Sequence, residues 1–329
     1  MSPDIQSARK VLQMAKIIDK SLTWIAGTDV LVQTGDIVDR GTYALDIYQM
    51  MHKLRSQASA VGGEVVSILG NHEVMNAIGD WRYVTNDDIH HFGSTEKRQH
   101  DLSIDGWLGQ EWLTNYSSTA LVPLGPFPFS PRLSFTHGSL RPSFPYLTPY
   151  PAAINTLGHS LLLKALTPPL AKPYPPNPYP GLPTGHSQEE AELYMEGGPY
   201  WWRGLAETKD ETTVCDWAKD LKEKLGVKRI IGGHTPNFER IVDRCNASII
   251  IIDTGISSAY GGVLSALEII YTLTAPPLPP QNHHHQEPLV ASTNDLRPGY
   301  KYMEREEIHA IYEKRKKVVR IEEREVVLQ

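Results

Sequence analysis

Residues 30–41 read Val-Leu-Val-Gln-Thr-Gly-Asp-Ile-Val-Asp-Arg-Gly. A short apolar run ends abruptly in Gly35-Asp36, and that pattern predicts a buried strand discharging into a polar loop. Residues 43–56 then return to helical spacing through Leu45, Ile47, Tyr48, Met51 and Leu54. The same grammar repeats downstream. Val65 to Leu69 is a second apolar run, closed by Gly70-Asn71-His72-Glu73, and Leu133-Ser134-Phe135 is a third, followed by His137-Gly138. Arg229 to Ile231 ends in Gly232-Gly233-His234-Thr235, and Ile249 to Ile252 is a further buried strand. Strands alternating with helical segments, with polar loops at the strand ends, predict an α/β core whose chemistry lies on those loops.

Working outward, residues 6–20 read as an amphipathic helix, and short helices are expected near 188–195 and 214–225. Residues 76–130 and 139–200 show little regular period. Eight prolines fall between 167 and 183, which favours an extended surface loop there. The Pro-, His- and Asn-rich stretch 274–303 reads as an unstructured insertion between a catalytic domain over 1–273 and closing strands with a charged tail over 304–329.

The chain has 329 residues, 40% of them hydrophobic, and a net charge of -6. That length buries a full core, and no long basic run suggests a nucleic-acid surface. No apolar run is long enough for a membrane span. The start, Met1-Ser2-Pro3-Asp4, has no signal-peptide core, and the expected setting is cytoplasmic. The two cysteines, Cys215 and Cys245, cannot make a disulfide framework, and their spacing suggests no zinc site. Neither substrate identity nor oligomeric state is readable.

The loop residues suit one chemistry. Hydrolysis of a phosphate monoester is among the slowest uncatalysed reactions. Two metal ions can activate water and hold the phosphoryl oxygens. Asp36 is placed to bridge such a pair, while Asn71, His137 and His234 offer neutral ligands to one of them. Arg40 and Arg203 can fork onto phosphate oxygens. His72 can protonate the leaving group, with Asp39 holding it charged and oriented. Glu73 reads as a structural charge at a helix N-terminus, and Tyr260 as either a packing or a phosphate-bordering residue.

Gly35 to Gly41 and Gly70 to Glu73 resemble the GDxVDRG and GNHE motifs of calcineurin-like metallophosphoesterases of the phosphoprotein phosphatase type. Trp201-Trp202-Arg203-Gly204, Gly232 to Pro236 and Ile252 to Ser257 bring the likeness closest to the Shewanella-like protein phosphatases. The resemblance implies an α/β fold, a β-sandwich flanked by helices, and two divalent ions (manganese, iron or zinc). It implies a phosphoprotein or a phosphorylated small molecule as substrate, while the composition points to no nucleic-acid or membrane partner. The family also opens with a strand and a GDxHG loop, and no such pair precedes Asp36 here. The first strand and half of one metal site are therefore expected to be missing, with Asp4 a poor substitute. A dinucleoside polyphosphate hydrolase and a catalytically impaired binding protein stand as alternatives to a protein phosphatase.

Overall fold

The computed structural model describes residues 3–127, 129–170, 179–274 and 299–327. The chain opens with α1 (Pro3–Met14), β1 (Val30–Gln33), α2 (Ala44–Ser59), β2 (Glu64–Ile68) and α3 (Asn71–Ala77). Next come α4 (Asn86–Phe92), α5 (Thr95–Asp101), α6 (Trp107–Asn115), β3 (Tyr116–Ser117), β4 (Thr119–Pro123) and β5 (Arg132–Thr136). Then follow α7 (Ala152–Leu166), α8 (Gln188–Tyr194), α9 (Gly204–Glu207), α10 (Glu211–Leu225), β6 (Arg229–Gly232), β7 (Val242–Arg244) and β8 (Ile249–Ile251). The described chain closes with β9 (Ser265–Thr274), β10 (Lys301–Tyr312) and β11 (Arg315–Val327).

The described residues form three sheets, in the orders β1-β2-β3, β4-β5-β6-β8-β7 and β11-β10-β9. β1 and β2 run parallel, as do β5, β6 and β8, so their C-terminal ends share an edge within each sheet. Side chains alternate across a strand, and that period sorts the core. Ile231 and Ile250 join Leu133, Phe135 and, from β10, Ile308, Ala310 and Tyr312 between the sheets. Their neighbours Ile230, Ile249 and Ile251 face the helical side with Val214, Ala218 and Leu221 of α10 and Leu161 of α7. On the remaining flank, Val65 packs with Ile5, Leu12, Met51 and Leu54 of α1 and α2. The result is the expected sheet sandwich flanked by helices.

Several elements differ from the sequence expectations. The first helix ends at Met14 rather than near 20. The stretch 76–130 is not irregular: α4, α5 and α6 are short helices, two of them capped by Thr85 and Ser94. They are too short for their period to stand out. α7 was hidden because its fifteen residues are apolar on most sides and bracketed by prolines. The two cysteines, whose pairing the sequence did not address, form one disulfide that joins α10 to the turn between β7 and β8. The insertion expected over 274–303 lies mostly outside the described residues, as does the middle of the proline-rich loop. Residues 301–327 form a hairpin, and β10 pairs with β9 from Ser265 to Thr274.

A candidate metal and phosphate site at the strand ends

Asp36 follows β1, Asn71 and His72 open α3 just after β2, His137 follows β5, and His234 follows β6. Parallel strands deliver all of them to one region. The loops that carry them depart from ordinary backbone. Asp36, Asp39, Arg40 and His234 all have positive φ, between 57° and 75°. Each such residue costs about 1–2 kcal/mol, so the surroundings must hold it. Two glycines make room: a Cβ at Gly35 would lie 2.4 Å from the backbone nitrogen of Gly70, and one at Gly70 would lie 2.1 Å from Asp36 Oδ1.

Glu73 is the main support. Its carboxylate is fully buried. It accepts hydrogen bonds from the backbone N–H of Gly70 at 2.7 Å, Asp36 at 2.8 Å and Ile37 at 2.7 Å, and from the Tyr48 hydroxyl at 2.8 Å. The helix-end charge foreseen from sequence therefore also fixes the conformation of the Asp36 loop, 37 positions away.

His137 Nε2 is the centre of the cluster. Asn71 Oδ1 lies 3.0 Å from it, His234 Nδ1 3.1 Å and Asp36 Oδ2 3.2 Å. His137 Nδ1 donates to the Thr34 carbonyl at 2.7 Å, which leaves Nε2 as a lone pair in the neutral ring. Four lone-pair donors thus converge on one small volume, and His234 Nε2 is buried with no hydrogen-bond partner among the described residues. Such a set repels itself unless a cation or a proton sits among it. Nitrogen and oxygen donors of this kind fit a divalent transition metal. Asp36, His137 and His234 offer ligand atoms within 4.8 Å of one another.

The protonation pattern tells the same story for the metal-free protein. Burial raises the Asp36 carboxyl, but the imidazoles of His137 and His72 outweigh it and hold it well below the usual range. Burial disfavours charge on His137, yet the Asp36 carboxylate reverses this and raises its pKa. For His234, burial and then His137 and Arg203 all act against charge, and it is pushed down to about 3.

The other four predicted residues border this cluster. Asp39 Oδ2 lies 2.5 Å from His72 Nδ1, and Arg40 Nη1 lies 2.9 Å from His72 Nε2. Burial opposes charge on His72, but Asp36 and Asp39 together raise its pKa. The Arg40 guanidinium carbon lies 4.4 Å from the centroid of the Tyr83 ring and 5.2 Å from that of Tyr260. Arg203 donates to the His234 carbonyl and to Thr235 Oγ1. Asp4 lies outside the ligand cluster and accepts hydrogen bonds from Ser257 and Ser258. Tyr83 was missed by sequence reasoning. It supports Arg40 by its ring and by its carbonyl, which accepts from the Arg40 backbone N–H, and neither role leaves a motif. Asp253, after β8, is a half-buried carboxyl raised by burial, which the Gly255 N–H and the nearby His137 offset only in part.

Comparison with known proteins agrees with this geometry. The calcineurin-like phosphoesterase family matches residues 4–238. The chain is 35% identical over 275 residues to an uncharacterised protein of Schizosaccharomyces pombe, spanning 81% of this chain and 74% of that one. It is 26% identical over 307 residues to Shewanella-like protein phosphatase 2 of Arabidopsis thaliana, spanning 81% and 72%. A cold-active protein tyrosine phosphatase solved at 1.1 Å superposes with a TM-score of 0.66 at 19% identity, covering 96% of this chain and 75% of that one. The cold-active protein tyrosine phosphatase of a psychrophilic Shewanella gives 0.65, with 97% and 78% covered. At that identity the two structures speak for the fold. The family match and the 35% identity over most of the chain go further: this protein belongs to the calcineurin-like phosphoesterases and is a metal-dependent phosphatase.

Proposed function

We propose that the protein hydrolyses phosphate monoesters on phosphoproteins, with Asp36, Asn71, His137 and His234 holding a divalent ion. The observation that carries this reading is the convergence of three donor atoms on His137 Nε2 within 3.2 Å. Asp36 is the residue that a second ion would share. Bound ions of this class supply a Lewis acid for the phosphoryl oxygens and lower the pKa of the attacking water.

The chain's own residues do the rest. Arg40 and Arg203 bind phosphate oxygens with the planar forked N–H donors of their guanidinium groups. Without substrate, Arg40 donates to His72 Nε2. Turning Arg40 onto phosphate frees that nitrogen to take up a proton from solvent and give it to the leaving oxygen as the P–O bond breaks, while Asp39 holds Nδ1. The raised pKa of His72 favours the protonated form this role needs. The named relatives that are protein phosphatases support a phosphoprotein over a dinucleotide as substrate.

The test is hydrolysis of a chromogenic aryl phosphate, a phosphopeptide and a dinucleoside polyphosphate by the purified protein, with metal analysis of the same sample. The expected result is metal-dependent turnover of the first two, and loss of both metal and turnover in His234→Ala. Turnover that survives chelation would overturn the metal reading. Preference for the dinucleotide would overturn the substrate.

A further inference from the structure

The N-terminal turn of α1 touches two loops that flank Arg40. Asp4 Oδ1 accepts hydrogen bonds from Ser257 Oγ at 2.9 Å, from the Ser258 backbone N–H at 2.8 Å and from Ser258 Oγ at 2.9 Å. Its second oxygen lies against Gly41, where an added Cβ would sit 2.4 Å from Oδ2. One carboxylate therefore bridges the residue next to Arg40 and the loop 255–262.

That loop carries Tyr260. Ser257 starts its turn: the Ser257 carbonyl accepts from the N–H groups of Tyr260 and Gly261, both at 3.0 Å. Ser257 Oγ accepts from the Ala259 N–H at 3.2 Å while donating to Asp4. Fixing Ser257 thus fixes Tyr260. The Tyr260 ring stacks on Phe238 at 6.2 Å and lies 5.2 Å from the Arg40 guanidinium carbon, which also lies 4.4 Å from the Tyr83 ring. Tyr260 is 43% exposed, so packing alone does not hold it in this place.

We infer that Asp4 is a positioning residue for phosphate binding: it clasps the 255–262 loop so that Tyr260 closes over Arg40 and holds the guanidinium toward the site. The inference rests on the phosphate-binding role given to Arg40. Hydrogen bonds to a charged acceptor are the strong kind, and three on one oxygen suffice to order a short loop.

The test compares wild type, Asp4→Ala, Asp4→Asn and the double variant Ser257→Ala/Ser258→Ala in the full chain. In Asp4→Ala, KM for the aryl phosphate and Ki for inorganic phosphate should rise together by roughly two- to fivefold, the scale of one exposed cation–π contact. The change in kcat should be smaller and metal content unchanged. Asp4→Asn keeps the accepting oxygen without its charge and should restore part of the loss. The double serine variant reaches the clasp from its other side and should match Asp4→Ala. Amide exchange at residues 258–262 should speed up in Asp4→Ala and return in part in Asp4→Asn, a readout that needs no turnover. Unchanged KM and Ki, a defect that Asn does not rescue, or loss of metal would each overturn the inference. A wild type that neither turns over nor binds phosphate would instead overturn the functional reading, with amide exchange still reporting on the clasp.

Discussion

Buried charge is handled in opposite ways at the two ends of β6. At its start, Arg229 is almost fully buried, and each of its nitrogens has a partner: Nε and Nη2 on Glu306 at 2.8 and 2.6 Å, Nη2 also on Glu322 at 2.9 Å, and Nη1 on the Ala247 carbonyl at 2.8 Å. Past its end, His234 has left-handed backbone and a buried Nε2 without a partner among the described residues. Five positions separate a saturated ion network from a set of lone pairs facing one another. The first joins β6 to β10 and β11 and serves the fold. The second is costly as it stands and is stabilised only when something positive is bound.

Glu73 is where the two modes meet, because it is a saturated carboxylate that supports the unsaturated site. Glu73→Ala should therefore have the largest effect. It strips the three backbone N–H groups of Gly70, Asp36 and Ile37, each worth about 1–3 kcal/mol when left unsatisfied, so a loss on the order of 5 kcal/mol is expected. Metal should go with it, since Asp36 loses the conformation that aims its oxygen at His137. Denaturant unfolding and metal analysis on one preparation check this. Retention of metal at wild-type affinity would show that the Asp36 loop keeps its shape unaided.

The saturated network should behave differently. Arg229→Met leaves Glu306 buried without its main partner. Breaking a buried pair costs about 3–5 kcal/mol, and the low end applies because Lys228 still lies 2.5 Å from Glu306. Metal affinity and KM should not move. If Arg229→Met also strips metal, the two ends of β6 are coupled and the contrast drawn here fails.

The same contrast explains what the sequence let one read. The strands at 30–33, 64–68, 132–136, 229–232 and 249–251 were legible because each is an apolar run stopped by glycine or a polar residue, which local chemistry alone dictates. Asp36, Asn71, His137 and His234 were legible as a set because each stands at such a stop, and the structure brings them together. What a residue does at a distance was not legible. Nothing local in Glu73 announces hydrogen bonds to Asp36 and Ile37, and nothing in Tyr83 or Asp4 announces Arg40 or Ser257. The Cys215–Cys245 link and the Arg229–Glu306 pair, separated by 30 and 77 positions, are likewise products of the tertiary fold. α7 was lost for the opposite reason: a helix apolar on most sides has no period to read.

The smallest effect concerns acid. Burial raises the Glu306 carboxyl, but hydrogen bonds from Arg229 and Lys228 more than reverse this, so its folded pKa lies below the ordinary 4.5. A carboxyl depressed in the folded state binds its proton later than in the unfolded chain. Between 4.5 and the folded value, the unfolded chain holds a proton the folded chain lacks, and stability rises with pH. Glu306 therefore contributes fully above its unfolded pKa, and its contribution is lost as pH falls through the folded value. Glu306→Gln should be less stable than wild type at neutral pH and should lose less on acidification below 4.5, so that the two proteins converge. Urea unfolding at a series of pH values reads the difference directly. The Asp36 cluster is the same in both proteins, so its own titration cancels in the difference. Parallel stability curves would mean that Glu306 titrates alike in both states, and that the network at the start of β6 gains nothing from its charge.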